Sequence, residues 1–248
     1  MIVLITGGAR SGKSKFAEQY AARLGTNGIY VATAQIYDDE MADRVRRHRS
    51  RRDEAGFSWV TVEEPYHLAD MLAKDLAREQ AWTASNSSEG RQDDGVVHED
   101  APLRGRGGQP APSGDAISLH RSQPEGSPYG IPASAENCSG SRTQVVLIDC
   151  LTLWLSNWLL RFEGEADAAE RVERKIDELA EALNGYPGTV LLVSNEVGSG
   201  IVPEYPLGRL YRDLAGRMNQ RIASVSRQVF LVTAGIAVEL KSIAFRLD

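Results

Sequence analysis

A chain of 248 residues with 42% hydrophobic content is long enough for one α/β domain with a substantial core. Its net charge of -6 gives no general attraction to nucleic acid or to an anionic membrane, and no apolar run is long enough to span a bilayer. Two cysteines, Cys138 and Cys150, make no disulfide framework, and the N-terminus runs into an apolar stretch rather than a basic leader, so a cytoplasmic location is expected.

The first element is the apolar run Met1 to Thr6, whose Ile2, Val3, Leu4 and Ile5 read as a buried strand. Gly7, Gly8, Ala9, Arg10, Ser11, Gly12, Lys13 and Ser14 follow and satisfy G-x-x-x-x-G-K-[ST] in full. Glycines let the backbone curl until its N–H groups converge on phosphate oxygens. The start of a helix adds partial positive charge, Lys13 adds a full one, and the Ser14 hydroxyl is placed to ligate magnesium. Lys15 to Leu24 completes strand, loop and helix, with Phe16, Tyr20 and Leu24 at helical spacing.

Gly28 to Ala34 reads as a second strand. Asp38 to Glu54 reads as a helix, acidic at its start and arginine-rich later, as the helix dipole favours. Met41, Val45 and His48 share one face of it, which turns His48 inward. Arg44, Arg46, Arg47, Arg49, Arg51 and Arg52 crowd around that histidine, and so much like charge repels itself unless an anion is near. Phe57 to Glu64 reads as a third strand. Pro65 opens a helix through about Trp82, with Leu68, Met71, Leu72 and Leu76 inside. Composition then changes. Thr83 to Arg142 is rich in Ser, Gly, Pro, Asp, Glu and Gln and has too little apolar content to offset its ordering entropy, so it is expected to be a disordered insert at about 83–142 within a single domain spanning 1–248.

Val145 to Cys150 is the next strand and carries Asp149 at its end, where an acidic residue forms the second half of a phosphate-loop magnesium site. Cys150 reads as core, and Trp154 and Trp158 as core or subunit interface. Glu165 to Asn184 is an amphipathic helix with Val172, Ile176, Leu179 and Leu183 inside. Thr189 to Asn195 is a strand, and Glu196 to Pro206 a glycine- and proline-punctuated loop at its C-terminal end, where α/β proteins bind ligands. A helix over Leu207 to Ser224, a strand over Gln228 to Gly235 and a short edge strand within Val238 to Leu247 complete the chain. The alternation predicts an α/β fold of the P-loop NTPase type: a mainly parallel sheet with helices on both faces.

Several stretches together resemble the bifunctional adenosylcobinamide kinase/adenosylcobinamide-phosphate guanylyltransferase family: ITGGARSGKS at Ile5 to Ser14, YVATAQIYDDEM at Tyr30 to Met41, RVRRHRSRR at Arg44 to Arg52, SNEVGSGIVPE at Ser194 to Glu204 and RDLAGRMNQRIA at Arg212 to Ala223. The resemblance implies phosphorylation of adenosylcobinamide by a nucleoside triphosphate, GTP or ATP, with Mg2+. It also implies transfer of GMP from GTP to adenosylcobinamide phosphate through a histidine–GMP intermediate. The histidine falls on His48, and nucleotide contacts fall on Gly7 to Ser14, Ala32, Thr33, Ala34, Arg51, Arg52 and Glu63, with Asp149 as the strand-end acid. The expected partners are the corrinoid, its phosphate and the nucleotides, in a homo-oligomer. The competing readings are another P-loop small-molecule kinase or ATPase lacking guanylyltransferase activity, and a nucleotide switch. No N-K-x-D stands for guanine, and D-x-x-G at Asp213 to Gly216 lies inside a helical pattern, both against a switch.

Overall fold

The computed structural model describes residues 1–35, 56–74 and 144–245. The expected arginine-rich helix with His48, Arg51 and Arg52, and the whole expected insert, lie outside the described residues. All that is described falls in one compact unit.

Seven strands form one sheet in the order β3-β2-β4-β5-β1-β6-β7. They are β1 (Ile2–Thr6), β2 (Asn27–Ala32), β3 (Ser58–Glu63), β4 (Gln144–Asp149), β5 (Thr189–Val193), β6 (Gln228–Thr233) and β7 (Ile236–Glu239). The first six are parallel, and only β7 runs antiparallel, against β6. Among the described residues they are accompanied by α1 (Lys13–Leu24), α2 (Leu151–Arg161), α3 (Ala168–Gly185) and α4 (Pro206–Val225). Residues 68–74 are also helical.

The central strands are apolar throughout because both faces are covered. Side chains alternate, so Val3 and Ile5 of β1 join Ala17 and Ala21 of α1, with Val145, Leu147, Leu191 and Val193, in one core. Leu4, Val146, Ile148 and Leu192, all buried, belong to the opposite face. There α2, α3 and α4 pack against one another. On α3 the expected stripe holds: Val172, Ile176, Leu179 and Leu183 are all buried. On α1 the small Ala17 and Ala21 make the closest approach, while Phe16, Tyr20 and Leu24 are only partly buried. Phe16 and Tyr20 stack on each other, and Phe230 of β6 meets the first at a tilt and the second edge-on.

Two local details differ from the sequence reading. Pro65 does not open a helix. The buried Glu64 turns its Oε1 onto the backbone N–H groups of Tyr66 and His67, at 2.9 and 2.7 Å, and the helix begins at 68. Second, β6 stops at Thr233, because Ala234 (φ 52°) and Gly235 (φ 81°) form a two-residue hairpin turn with positive φ at both positions. The edge strand therefore begins at Ile236, earlier than expected. Of the two places expected for the tryptophans, core or interface, the structure takes the core: Trp154 and Trp158 are 2% and 5% exposed, and both indole N–H groups donate to the Tyr66 carbonyl.

Candidate active site

Parallel strands deliver their C-terminal ends to one edge of the sheet, and register puts the site residues in line there. Ala32 is level with Glu63 on one side and Asp149 on the other; Asp149 is level with Val193, and Val193 with Ile5. One edge therefore collects the 7–14 loop, Ala32, Thr33, Ala34, Glu63 and Asp149. Strands lie about 4.8 Å apart, so Asp149 stands about 10 Å from the end of β1, with β5 between, and Glu63 about 19 Å away.

The loop has the shape the motif demands. Gly7 is buried, and a Cβ on it would stand 2.3 Å from the Val232 carbonyl oxygen and 2.7 Å from Ser11 Oγ. Gly12 has φ 96°, a left-handed conformation, and caps α1 without any side-chain hydrogen bond. No acidic residue occupies the first turn of α1, so the positive end of its dipole is left for an anion. Ser11 Oγ is buried without a hydrogen-bond partner among the described residues, and a ligand oxygen would supply one. Lys13 is 8% exposed, with Nζ donating to the Gly8 carbonyl at 3.1 Å, which folds its ammonium back over the loop. The turn between β6 and β7 braces the loop from outside, where Gly235 N–H donates to the Ser11 carbonyl at 2.9 Å.

Asp149 accepts a hydrogen bond from the Tyr30 hydroxyl on Oδ2, at 3.0 Å. Thr33 is fully buried, and its polar atoms are engaged inside the protein. Its hydroxyl donates to the Cys150 carbonyl and accepts from the Cys150 N–H, at 2.7 and 2.8 Å, and its carbonyl accepts from the Asn157 amide at 2.9 Å. Ala32 and Ala34 are half-buried on either side. Glu63 is exposed at the far end of the edge.

Because β5 separates β1 from β4, its C-terminal loop lies between the phosphate loop and Asp149. Glu196 N–H donates to the Gly7 carbonyl at 3.2 Å. Asn195 donates through Nδ2 to Thr152 Oγ1 at 2.7 Å, and that hydroxyl lies 3.1 Å from Cys150 Sγ. Asn219 of α4 accepts from Ser194 Oγ at 2.6 Å and donates to the Asn195 carbonyl and to Glu196 Oε1, at 3.1 and 3.2 Å. Tyr211 donates its hydroxyl to the Thr152 carbonyl at 3.1 Å. Thr152, Asn195, Asn219 and Tyr211 were not among the expected site residues. The available signal was a polar residue set in the apolar stripe of a helix, Asn219 beside Met218 and Ile222.

Burial, with the Asp149 charge beside it, pushes the Cys150 thiol up from its usual value. Burial and the charge of Cys150 push Tyr211 up to about 12. Both groups hold their protons more tightly folded than unfolded. Their contribution to stability is whole below the ordinary thiol and phenol values and is lost as the pH rises through the folded ones. The denaturant midpoint is therefore expected to be flat near neutrality and to fall above about pH 9. In Tyr211→Phe the fall should be shallower; an equally steep fall in that variant would show that Tyr211 is not its source.

Among the described residues no three His, Cys, Asp or Glu side chains cluster in a way that could hold a metal, and no helix is long and apolar enough to cross a membrane. The protein-family description "cobinamide kinase / cobinamide phosphate guanyltransferase" matches residues 3–83 and 127–240. The stretch without a match, 84–126, is shorter than the one set apart by composition. The chain is 33% identical over 251 residues to the bifunctional adenosylcobalamin biosynthesis protein CobU of Escherichia coli, covering 97% of this chain and all of that one. It is equally similar, over the same shares, to CobU of Salmonella typhimurium. Against the bifunctional protein CobP of Pseudomonas aeruginosa it is 34% identical over 238 residues, 96% of each chain.

Proposed function

The chain belongs to the cobinamide kinase/cobinamide phosphate guanyltransferase family, and we propose that it runs both reactions at the edge of the sheet where the phosphate loop, Asp149 and the loop after β5 meet. It is a bifunctional enzyme, a kinase and a nucleotidyltransferase of cobalamin biosynthesis, with adenosylcobinamide as acceptor and GTP and ATP as nucleotide substrates. The observation that carries the assignment to this edge is the loop itself, with its glycine-capped helix end bare of acidic side chains, its inward-folded Lys13 and a Ser11 hydroxyl that has no partner among the described residues.

In the kinase step the loop N–H groups and Lys13 hold the β- and γ-phosphates while the acceptor hydroxyl attacks the γ-phosphorus and the nucleoside diphosphate leaves. Ser14, the second residue of α1, and Asp149 would hold a magnesium ion. A hydroxyl and one carboxylate, with no all-protein cage among the described residues, suit a metal that keeps water and phosphate oxygens as its other ligands. Bound there, magnesium supplies charge neutralisation across the phosphates. In the second step a ring nitrogen of His48 attacks the α-phosphorus of GTP. An N–P bond forms, pyrophosphate leaves, and an oxygen of the corrinoid phosphate then displaces the imidazole to give the GDP-linked product. Arg51 and Arg52 contribute positive charge for the phosphates. Thr33 supports Ala32 and Ala34 from beneath, and Glu63 lies far enough from the loop to meet a part of the ligand other than the triphosphate.

Incubation with α- or γ-labelled GTP, with and without adenosylcobinamide, tests this reading. The γ label should pass to the corrinoid. The α label should appear on protein as an acid-labile adduct without corrinoid and be chased onto corrinoid phosphate. Transfer of γ label with no protein-bound α label would leave a kinase alone.

The domain is single in this reading, and the unmatched stretch is an accessory to it. Replacing 84–126 with a short Gly/Ser linker should leave folding and both activities largely intact, because loop-closure entropy grows only logarithmically with length. Insoluble protein or loss of either activity would show that the stretch is structural. We place the enzyme in the cytoplasm on its cysteine content. A homo-oligomer, checked by mass in solution, draws its support from the exposed Ile243 and Phe245 near the C-terminus, since Trp154 and Trp158 are enclosed.

A further inference from the structure

No step above uses the loop after β5 beyond Glu196 or the outward face of α4, yet the stretches SNEVGSGIVPE and RDLAGRMNQ meet in space. The loop and the residue that follows it expose three apolar side chains: Ile201 at 96%, Val202 at 56% and Tyr205 at 64%. Three exposed apolar side chains within five residues fit a surface that a ligand covers. The loop that carries it is held stiffly. Arg212 donates to the Gly198 carbonyl at 2.6 Å, and Arg209 donates to the carbonyls of Pro203 and Glu204. Tyr205 lies on Gly208, where a Cβ would stand 2.6 Å from its ring. Where the same loop meets α4 at Gly198 there is an open cavity of about 360 Å³, lined also by Arg212, Asp213, Gly216, Arg217 and Gln220.

We propose that the ledge of Ile201, Val202 and Tyr205, with the polar cavity where the same loop meets α4, is the seat of the corrinoid acceptor. The assignment rests on the reading above that the acceptor is a cobinamide. Three observations support this occupant. The acceptor hydroxyl must arrive at the γ-phosphate, and Glu196 N–H, five residues before Ile201, is bonded to the first glycine of the phosphate loop. A corrinoid is a flat, largely apolar macrocycle fringed with primary carboxamides. It asks for an apolar surface next to hydrogen-bonding groups of both kinds, and the ledge with Arg212, Asp213 and Gln220 has that character. The loop is held in place by its own arginine contacts, so a ligand would lose little affinity in ordering it.

The test is direct binding of cobinamide, a coloured ligand, by equilibrium dialysis against the full chain and the double variant Ile201→Ser/Val202→Ser. Both positions are exposed, so the fold should be unaffected. The dissociation constant for cobinamide is expected to rise about tenfold, from the apolar area no longer covered. The acceptor KM of the kinase step should rise with it, while the corrinoid-independent GMP adduct forms at the parental rate. Equal cobinamide binding by parent and variant, or no binding by the parent, overturns the proposal. So does a variant whose mass in solution changes, since the ledge would then be a contact between copies of the chain. A parent that binds cobinamide through this ledge but forms no GMP adduct sinks the guanylyltransferase reading and leaves the seat standing.

Discussion

Lys13→Ala is expected to lower the rate of the kinase step by about a hundred- to a thousandfold, the usual cost of removing one preorganised donor to developing charge. Lys13 is almost fully enclosed and folded back toward Gly8, so its ammonium is aimed before a nucleotide arrives. The N-terminus of α1 remains in the variant, and alanine is a good helix former there, so folding and weak nucleotide binding should survive. Because one loop serves both reactions in our reading, the GMP adduct should fall as well. Lys13→Arg should not restore the parental rate, since a planar guanidinium cannot take the place of a compact ammonium in a closed loop. The measurement is label transfer from γ- and α-labelled GTP on folded protein. Self-guanylylation by Lys13→Ala at the parental rate would show that a different site binds the GTP of that step.

His48→Ala is expected to abolish the acid-labile label from α-labelled GTP altogether, a larger effect than any positioning change, because the covalent bond has nowhere else to form. His48→Asn, polar but without an imidazole nucleophile, should behave the same way. Both variants should keep at least part of the kinase activity, since phosphoryl transfer to a hydroxyl depends on positioning and magnesium rather than on a nucleophilic side chain. His67, the one histidine among the described residues, is otherwise engaged. Its ring meets Trp158 edge-on at 5.9 Å, and Nδ1 lies 3.6 Å from Asp70. An adduct persisting in His48→Ala and mapping to His67 would overturn the assignment and keep the chemistry.

How much of this could be read from the chain alone depended on how far apart the interacting residues are in sequence. The phosphate loop was legible because eight consecutive residues make it, and what they must do, curl and donate, is written in their own backbone freedom and charge. The buried strands were legible as apolar runs, and α3 as a stripe, because burial on two faces or on one imposes those periods locally. Asp149 was legible as a strand end. Its distance from the loop was not, because the insertion of β5 between β4 and β1 is a choice of strand order that no local period encodes. The same choice decided that Asn195 and Glu196 stand beside the phosphate loop, tied down by Asn219 and by a Thr152 that Tyr211 holds in turn. Those hydrogen bonds join residues 23 to 59 positions apart. The turn at Ala234 and Gly235 escaped notice for a different reason: alanine rarely takes positive φ, and here the parent hairpin imposes it. The sequence alone thus determined the loop, the strands and the family; strand order and close packing, which arise only when distant segments share one core, decided which polar residues gather around the candidate site.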